Sequence, residues 1–432
     1  MAQPPVHPEH SAVSAPELGT AVAKVKARVL PLFVVMFILN YIDRVNIGFV
    51  KNHLRADLHI DLAAYGFGAG LFFIGYALFE VPSNLLLQRV GARAWLARIT
   101  LTWGIAATLM AFIQSRPQFY TLRFLLGVAE AGFFPGVIYY FTLWLPKAER
   151  GKATAIFLSG SAIASILSGP VSGALLQLRG FGLKGWQWMF LVEGLASVLL
   201  CGVVWTQLRS RPEDAPWLSD TEKRALREAI AAEQPAGNPQ IPLLTLLRDP
   251  RLLLFCLIYF AIQLTIYAAT FWLPSIIQKI GGLNDFQVGC LNSIPWILSI
   301  AAMYGFAAAA SRWRHQQAWV ALALLIAATG MFLSTLGSPT FAFVSVCFAA
   351  LGFKAASSLF WPIPQNSLPP QIAAPALALI NSLGNLGGFV APATFGFLEK
   401  HTGSIQGGLY GLSIASILAA LLVFRTSRDA AR

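Results

Sequence analysis

The feature that most constrains this chain is a succession of apolar stretches, each about as long as the 20 residues a helix needs to cross a hydrocarbon layer of about 30 Å. They fall at approximately 29-50, 65-87, 94-113, 118-144, 152-177, 187-208, 250-278, 286-310, 316-336, 340-364, 371-397 and 405-425. Inside a bilayer no water is available for backbone N–H and C=O groups, and a helix satisfies them within its own segment. Twelve such spans in 432 residues leave no room for a separate soluble domain of ordinary size. The composition agrees, with only 12% charged residues against about 25% in soluble domains. The expected fold class is an all-α membrane protein of twelve transmembrane helices.

One long polar interruption divides the spans six and six. The expected organisation is a tail at 1-28, a six-helix bundle at 29-208, a linker at 209-249, a second six-helix bundle at 250-425 and a tail at 426-432. The linker carries "SDTEKRALREAIAAE" from Ser219, with a capping-box start at Ser219 and Glu222, and reads as an amphipathic helix on the membrane surface. The formal charge of +12 would suggest a nucleic-acid partner in a soluble protein. Here it reflects topology. With the N-terminus inside, nineteen Lys and Arg, among them Lys24, Lys26, Arg28, Arg150, Arg314, Arg425, Arg428 and Arg432, fall on the inner side. Opposite lie seven: Lys51, Arg55, Arg116, Arg179, Lys184, Lys279 and Lys400. That bias places both termini in the cytoplasm, and no nucleic acid is required. No removable signal peptide is seen, so the first helix acts as its own insertion signal. Cys201, Cys256, Cys290 and Cys347 sit in or beside apolar stretches and read as packing residues without disulfides.

A weak internal repeat supports the division. "LSGSAIASILSGPVSGALL" from Leu158 parallels "INSLGNLGGFVAPATFGFL" from Ile380, each rich in small residues and holding a proline, Pro170 and Pro392. Small residues let helix backbones approach closely in lipid. Two related bundles facing one another imply a substrate site between them near the bilayer midplane, opened alternately to either side.

An ionisable side chain in mid-membrane costs about 2.5 to 3.5 kcal/mol on insertion scales, so each needs a partner or a water-filled cavity. The candidates are Asp43 and Arg44 in the first span, Glu80 in the second, Arg123 and Glu130 in the fourth, Glu193 in the sixth and Lys354 in the tenth. Arg123 and Glu130 are two turns apart and share a helix face, about 10 Å along the axis. Asp43 and Arg44 are adjacent and splay by about 100 degrees. The economical arrangement is crosswise, with Arg44 in the cavity near Glu130 and Asp43 turned toward Arg123. A buried ion-pair network with no transport role is the competing reading. All six histidines, His7, His10, His53, His59, His315 and His401, lie in the tail or in expected loops, which leaves carboxylates as proton carriers. Asp43 and Glu130 are the central ones. Glu80 and Glu193 read as structural or gating residues. Lys354 belongs to the second half and Arg44 to the first, so a dianion would meet one cation from each. Tyr41, Tyr76, Tyr267, Gln263, Trp361 and Asn381 are placed to hydrogen-bond hydroxyls or carboxylates.

"YIDRVNIGF" from Tyr41, "FEVPSNLLLQRVGAR" from Phe79, "RFLLGVAEAGFFPGVIYYFTLWLPKAERGKA" from Arg123, "GWQWMFLVEG" from Gly185 and "INSLGNLGGFVAP" from Ile380 resemble the anion:cation symporter branch of the major facilitator superfamily. Within it, the sequence looks most like bacterial tartrate transporter-like and sugar-acid permeases. The resemblance implies proton-driven symport of a small organic anion. It implies that Arg44 contacts the substrate carboxylate and that Asp43 and Glu130 carry the protons. It also maps substrate contacts onto Tyr41, Tyr76, Ser358, Trp361 and Asn381. A substrate-contacting glutamine of those relatives appears here as Ser161, and Lys354 departs from the branch, as a second substrate carboxylate would require.

The expectation is therefore a proton-coupled importer of a hydroxylated, dicarboxylic or sugar acid in a bacterial inner membrane, working as a monomer with protons, organic anion and lipid as its partners. Proton coupling is assigned to Asp43, Glu130 and Arg123. No cofactor or metal is expected. An exchanger or uniporter of the same fold is the alternative, and a membrane sensor without flux a more remote one. An enzyme is disfavoured: no HExxH, Cys/His metal spacing or GxxxxGK[ST] phosphate loop occurs, and no span holds a histidine to activate a serine.

Overall fold

The structure is a computed structural model that describes residues 15–233, 246, 248–312, 315–368 and 370–428. His7, His10, Arg314, Arg432 and most of the linker beyond Glu233 lie outside the described residues, as does the side chain of Arg428. The first half comprises α1 (Ala15–Val45), α2 (Lys51–Leu58), α3 (Leu62–Val90), α4 (Ala92–Leu109), α5 (Arg116–Glu130), α6 (Phe133–Trp144), α7 (Lys147–Leu175) and α8 (Gly185–Gln207). The linker contributes α9 (Asp220–Ala231). The second half comprises α10 (Pro250–Gln278), α11 (Asp285–Arg312), α12 (Gln316–Leu333), α13 (Pro339–Phe360), α14 (Pro362–Ser367), α15 (Pro370–Asn385), α16 (Gly387–Thr402) and α17 (Gln406–Val423). Among the described residues eleven helical stretches are long and apolar enough to cross a membrane, and α1 covers the first expected span in its second half.

Three spans read as continuous runs are built from two helical pieces. The fourth breaks after Glu130, where Gly132 takes φ 87°, a left-handed conformation that a side chain would strain. The tenth breaks at Trp361, ahead of Pro362 and Pro364, and the eleventh at Leu386, ahead of Gly387 and Gly388. Broken backbone at membrane depth is tolerated where it is buried in protein or lines a cavity, so the breaks mark the interior between the halves.

The expected tail at 1-28 is helical from Ala15, because α1 continues past the first span and docks on α9. Lys24 Nζ lies 2.7 Å from Glu222 Oε1, Lys26 pairs with Glu149, and Trp217 stacks on Trp144 with ring centroids 5.8 Å apart. The capping box at Ser219 forms as expected, with its hydroxyl accepting from the Glu222 N–H. The Lys24 ammonium and the Ser219 backbone N–H together hold the Glu222 carboxyl below the usual carboxylate range. All four cysteines are free thiols.

The two halves meet along two seams, α3 against α16 and α7 against α11. Both seams bring main chain against main chain. A Cβ on Gly169 would stand 2.1 Å from the Gly289 carbonyl oxygen, and one on Gly289 would stand 2.0 Å from that of Gly169. A Cβ on Gly66 would stand 2.1 Å from the Pro392 carbonyl oxygen. These contacts lie toward the end of the molecule that carries α2, here called the loop face. On the same α7 and α11 at the opposite end, the termini face, a Cβ on Gly151 or Gly305 would meet nothing within 4 Å. The halves are thus sealed at the loop face by close main-chain contact.

Candidate functional site

Arg44 occupies the last turn of α1 and reaches Glu130 at the break between α5 and α6. Its Nη2 donates to Glu130 Oε2 at 2.8 Å and its Nε to the same oxygen at 3.3 Å. Glu130 is fully buried, whereas the Arg44 side chain keeps 13% exposure. The guanidinium carbon lies 5.1 Å from the Phe72 ring centroid and 5.2 Å from that of Tyr76, both on α3, and Nη2 also donates to Asn40 Oδ1 at 3.3 Å. Among the described residues Glu130 Oε1 has no partner within hydrogen-bond distance, although the Asn40 amide faces this carboxylate. The site therefore holds a cation with access to solvent and a carboxylate with an acceptor to spare.

The crosswise expectation holds for Arg44 and fails for Asp43. Asp43 faces α4 and α8, away from Arg123, and its Oδ2 accepts from Ser197 Oγ at 2.7 Å and Trp103 Nε1 at 3.2 Å. Arg123 is fully buried on the far side of Phe72, 5.3 Å from that ring, with Nη2 donating to the Ala69 carbonyl at 3.1 Å and its Nε and Nη1 unpartnered. The splay of adjacent helical residues explains the outcome. Once Arg44 turns to Glu130, Asp43 must point to the next pair of helices, and Ser197 and Trp103 supply the donors a buried carboxylate requires.

The second half brings Tyr267 and Gln263 to the same region from α10. Tyr267 packs on Phe73 with ring centroids 4.4 Å apart, and Gln263, one turn earlier, donates to Asn385 Oδ1 at 2.9 Å. Lys354 on α13 extends its ammonium to 5.8 Å from the Tyr41 ring. Tyr41 precedes Arg44 by one turn on α1, so Lys354 meets the first half one turn away from Arg44. Among the described residues no carboxylate pairs with Lys354. Trp361 lies against Tyr259 at 4.7 Å between centroids, and Asn381 is half-buried on α15. Ser161 and Ser358 are spent on their own helices, donating to the carbonyls of Leu158 at 2.9 Å and Ala355 at 3.2 Å. On the loop-face side of Tyr41 a small cavity between the halves is lined by Ser165, Ser168, Thr270, Asn292 and Trp296. Asn292 Oδ1 there is buried and unpartnered.

Two groups of polar residues were not anticipated. Glu193 on α8 accepts from Asn46 Nδ2 and from Ser172 Oγ, both at 2.8 Å. The signal in the sequence was helical spacing of polar residues inside apolar spans, Asn46 three after Asp43 and Ser197 four after Glu193. The second group joins the halves at the loop face. Lys51 Nζ donates to both Glu399 oxygens at 3.0 Å, and Trp272 Nε1 donates to Glu399 Oε2 at 2.8 Å. Burial outweighs the pull of Glu399 and holds Lys51 below the usual lysine range. Lys400 pairs with Asp61 at 3.2 Å and His53 approaches Asp285 at 3.6 Å. The backbone N–H of Ala64, reinforced by Lys400, keeps the Asp61 carboxyl below the usual range. Glu80 also bridges the halves, accepting from Ser382 Oγ at 2.9 Å. It lies fourteen residues from Gly66, about 21 Å along α3.

Comparison with known proteins follows this geometry. The sequence model described as Major Facilitator Superfamily matches residues 33–392. An Agrobacterium vitis protein named "Putative tartrate transporter" is 42% identical over 412 residues, covering 94% of this chain and 95% of its own. The "Quinolone resistance transporter" of Acinetobacter baumannii is 42% identical over 405 residues, covering 92% of each chain. Among solved structures, a bacterial homolog of the human lysosomal transporter Spinster, inward-facing and unoccupied, superposes with a TM-score of 0.78 at 15% identity, covering 96% of this chain and 98% of that one. Its likeness is of fold. Two facing bundles sealed at one end, a charged interior between them and a family match across most of the length identify the chain as a multi-pass membrane transporter of small molecules belonging to the Major Facilitator Superfamily.

Proposed function

We propose that this transporter imports a small organic anion, a hydroxylated or dicarboxylic acid of the tartrate kind, together with protons, across a bacterial inner membrane with both termini in the cytoplasm. The observation that carries the reading is the Arg44–Glu130 pair of the first half, with Lys354 of the second half reaching Tyr41 one turn from Arg44. A buried cation held by a carboxylate is a poised exchange: a proton on Glu130 removes its charge and frees the guanidinium for a substrate carboxylate. With the loop face open to the outside, Glu130 and Asp43 take protons and the anion binds Arg44. Neutralised carboxylates then allow the loop face to close and the termini face to open, where anion and protons leave. Each proton carried in excess of the substrate's negative charge adds about 2.3 kcal/mol per 100 mV of membrane potential.

The relative named for quinolone resistance supports a second reading, export of a carboxylated drug through the same site. One assay tests the import reading. Purified protein in proteoliposomes, given an outside-acidic pH jump, accumulates radiolabelled L-tartrate under the import reading. Uptake that ignores the pH gradient would assign the protein to exchange or uniport. Glu130→Gln should retain exchange of labelled for unlabelled L-tartrate while losing uphill accumulation, and continued uphill uptake would remove Glu130 as an essential proton site.

A further inference from the structure

Asp43 and Glu193 form a carboxylate pair buried to 2% and 4% exposure, and no cation faces it among the described residues. From α1 comes Asp43, from the 3-10 turn after it (Asn46–Phe49) Asn46, from α4 Trp103 and Thr108, from α7 Ser172, and from α8 Ser197 beside Glu193 itself. All of these except the two carboxylates are uncharged. The charged groups nearest on the other side of Asp43 are Arg44, which is taken by Glu130, and Glu130 itself. Two ionised carboxylates in such a place would each lack a counter-ion, which interiors do not tolerate.

The hydrogen-bond inventory points the same way. Asp43 Oδ1 and Asn46 Oδ1 are both buried acceptors with no donor. They sit three residues apart, Asp43 in the last turn of α1 and Asn46 at the start of the 3-10 turn that follows it, a spacing at which side chains lie over one another. A single proton on Asp43 Oδ1, donated to Asn46 Oδ1, satisfies both. Asn46 then passes its amide N–H to Glu193 Oε2, and Glu193 Oε1 accepts from Ser172. A second proton can sit on Glu193 Oε1 and be donated to Ser172 Oγ, because a hydroxyl accepts as readily as it donates. The hydrogen bond between α8 and α7 reverses. Ser172 immediately precedes Gly173, where a Cβ would stand 2.5 Å from the Asp285 carbonyl oxygen across the α7–α11 seam.

We propose that Glu193 is a second proton-holding carboxylate in series with Asp43, and that the chain Asp43–Asn46–Glu193–Ser172 reports its proton state to the loop-face seam. The inference rests on the proton-coupled reading of the site and extends it from two proton carriers to three. The test is infrared spectroscopy of the full-length protein in lipid, following the C=O stretch of protonated carboxyls between acidic and alkaline pH. Glu193→Gln is expected to remove one component of that band which Asp43→Asn leaves in place, and a band identical to wild type at every pH would overturn the proposal. Ser172→Ala, which keeps the carboxylate, is expected to move the same component to higher frequency, since a carboxyl with one hydrogen bond fewer has a stiffer C=O. An unmoved component would overturn the link to α7. Neither measurement requires transport, so the infrared result is read separately from the uptake assay: absent L-tartrate accumulation bears on the proposed function, and an unchanged carboxyl band in Glu193→Gln bears on this proposal alone.

Discussion

Replacing Glu399 by alanine strands Lys51. In the structure the Lys51 ammonium is buried to 4% exposure, and Glu399, at 12%, is its only ion-pair partner among the described residues. Removing one partner of a buried pair costs about 3–5 kcal/mol, because the remaining charge is left uncompensated. That cost falls on the arrangement with the loop face sealed, since parting the halves returns Lys51 to water. At about 1.4 kcal/mol per tenfold, the equilibrium should shift toward an open loop face by about a hundredfold to several-thousandfold. Spin labels on the exposed positions 55 and 279, through Arg55→Cys and Lys279→Cys in a cysteine-free background, would read the shift by electron–electron double resonance as a longer distance population. Lys51→Met combined with Glu399→Leu should bring the short population back, because a buried pair replaced by apolar side chains of similar volume is neutral or stabilising. An unchanged distance distribution in Glu399→Ala would refute the reasoning.

Arg44→Ala should weaken L-tartrate binding by about 2–5 kcal/mol, the cost of truncating one member of a desolvated charge pair; retained affinity in isothermal titration calorimetry would remove Arg44 as the anion anchor. Lys354→Met should lower affinity for dicarboxylates more than for monocarboxylates, read by thermal shift across an acid panel, and equal losses would dismiss a contact with a second carboxylate. Asp61 supplies a pH dependence. Its folded-state pKa lies below the ordinary value, so its contribution is present above about pH 4 and is lost as pH falls through the depressed value. Thermal unfolding of Asp61→Asn should accordingly show a flatter acid limb than wild type, and coincident limbs would discount the contribution.

The spans were legible because a bilayer leaves a helix no choice but to be apolar along its length. The same property hid the orientation of α1. A span apolar on all sides does not declare which face meets which neighbour, so the partner of Arg44 could be reasoned from charge, while the direction of Asp43 depended on donors from α4 and α8. The loop-face pairing of Lys51 with Glu399 joins residues at opposite ends of the chain and has no local signature. In the sequence Lys51 is simply one of a few basic residues on the sparser side. The breaks after Glu130 and at Leu386 were visible as glycine-rich patches, yet glycine in a span also serves close packing, and only the left-handed turn at Gly132 decides between the two.

Where Gly169 meets Gly289, peptide planes touch with no side chains between them. A joint of bare main chain carries no rotamers to freeze on mating or to melt on parting, so the side-chain entropy that burdens most internal contacts is absent from it. Such a joint can come apart and re-seat without any search for fit. The tempo of the cycle then belongs to the ionic groups around the joint, and chemistry at those groups can govern a motion of half the molecule.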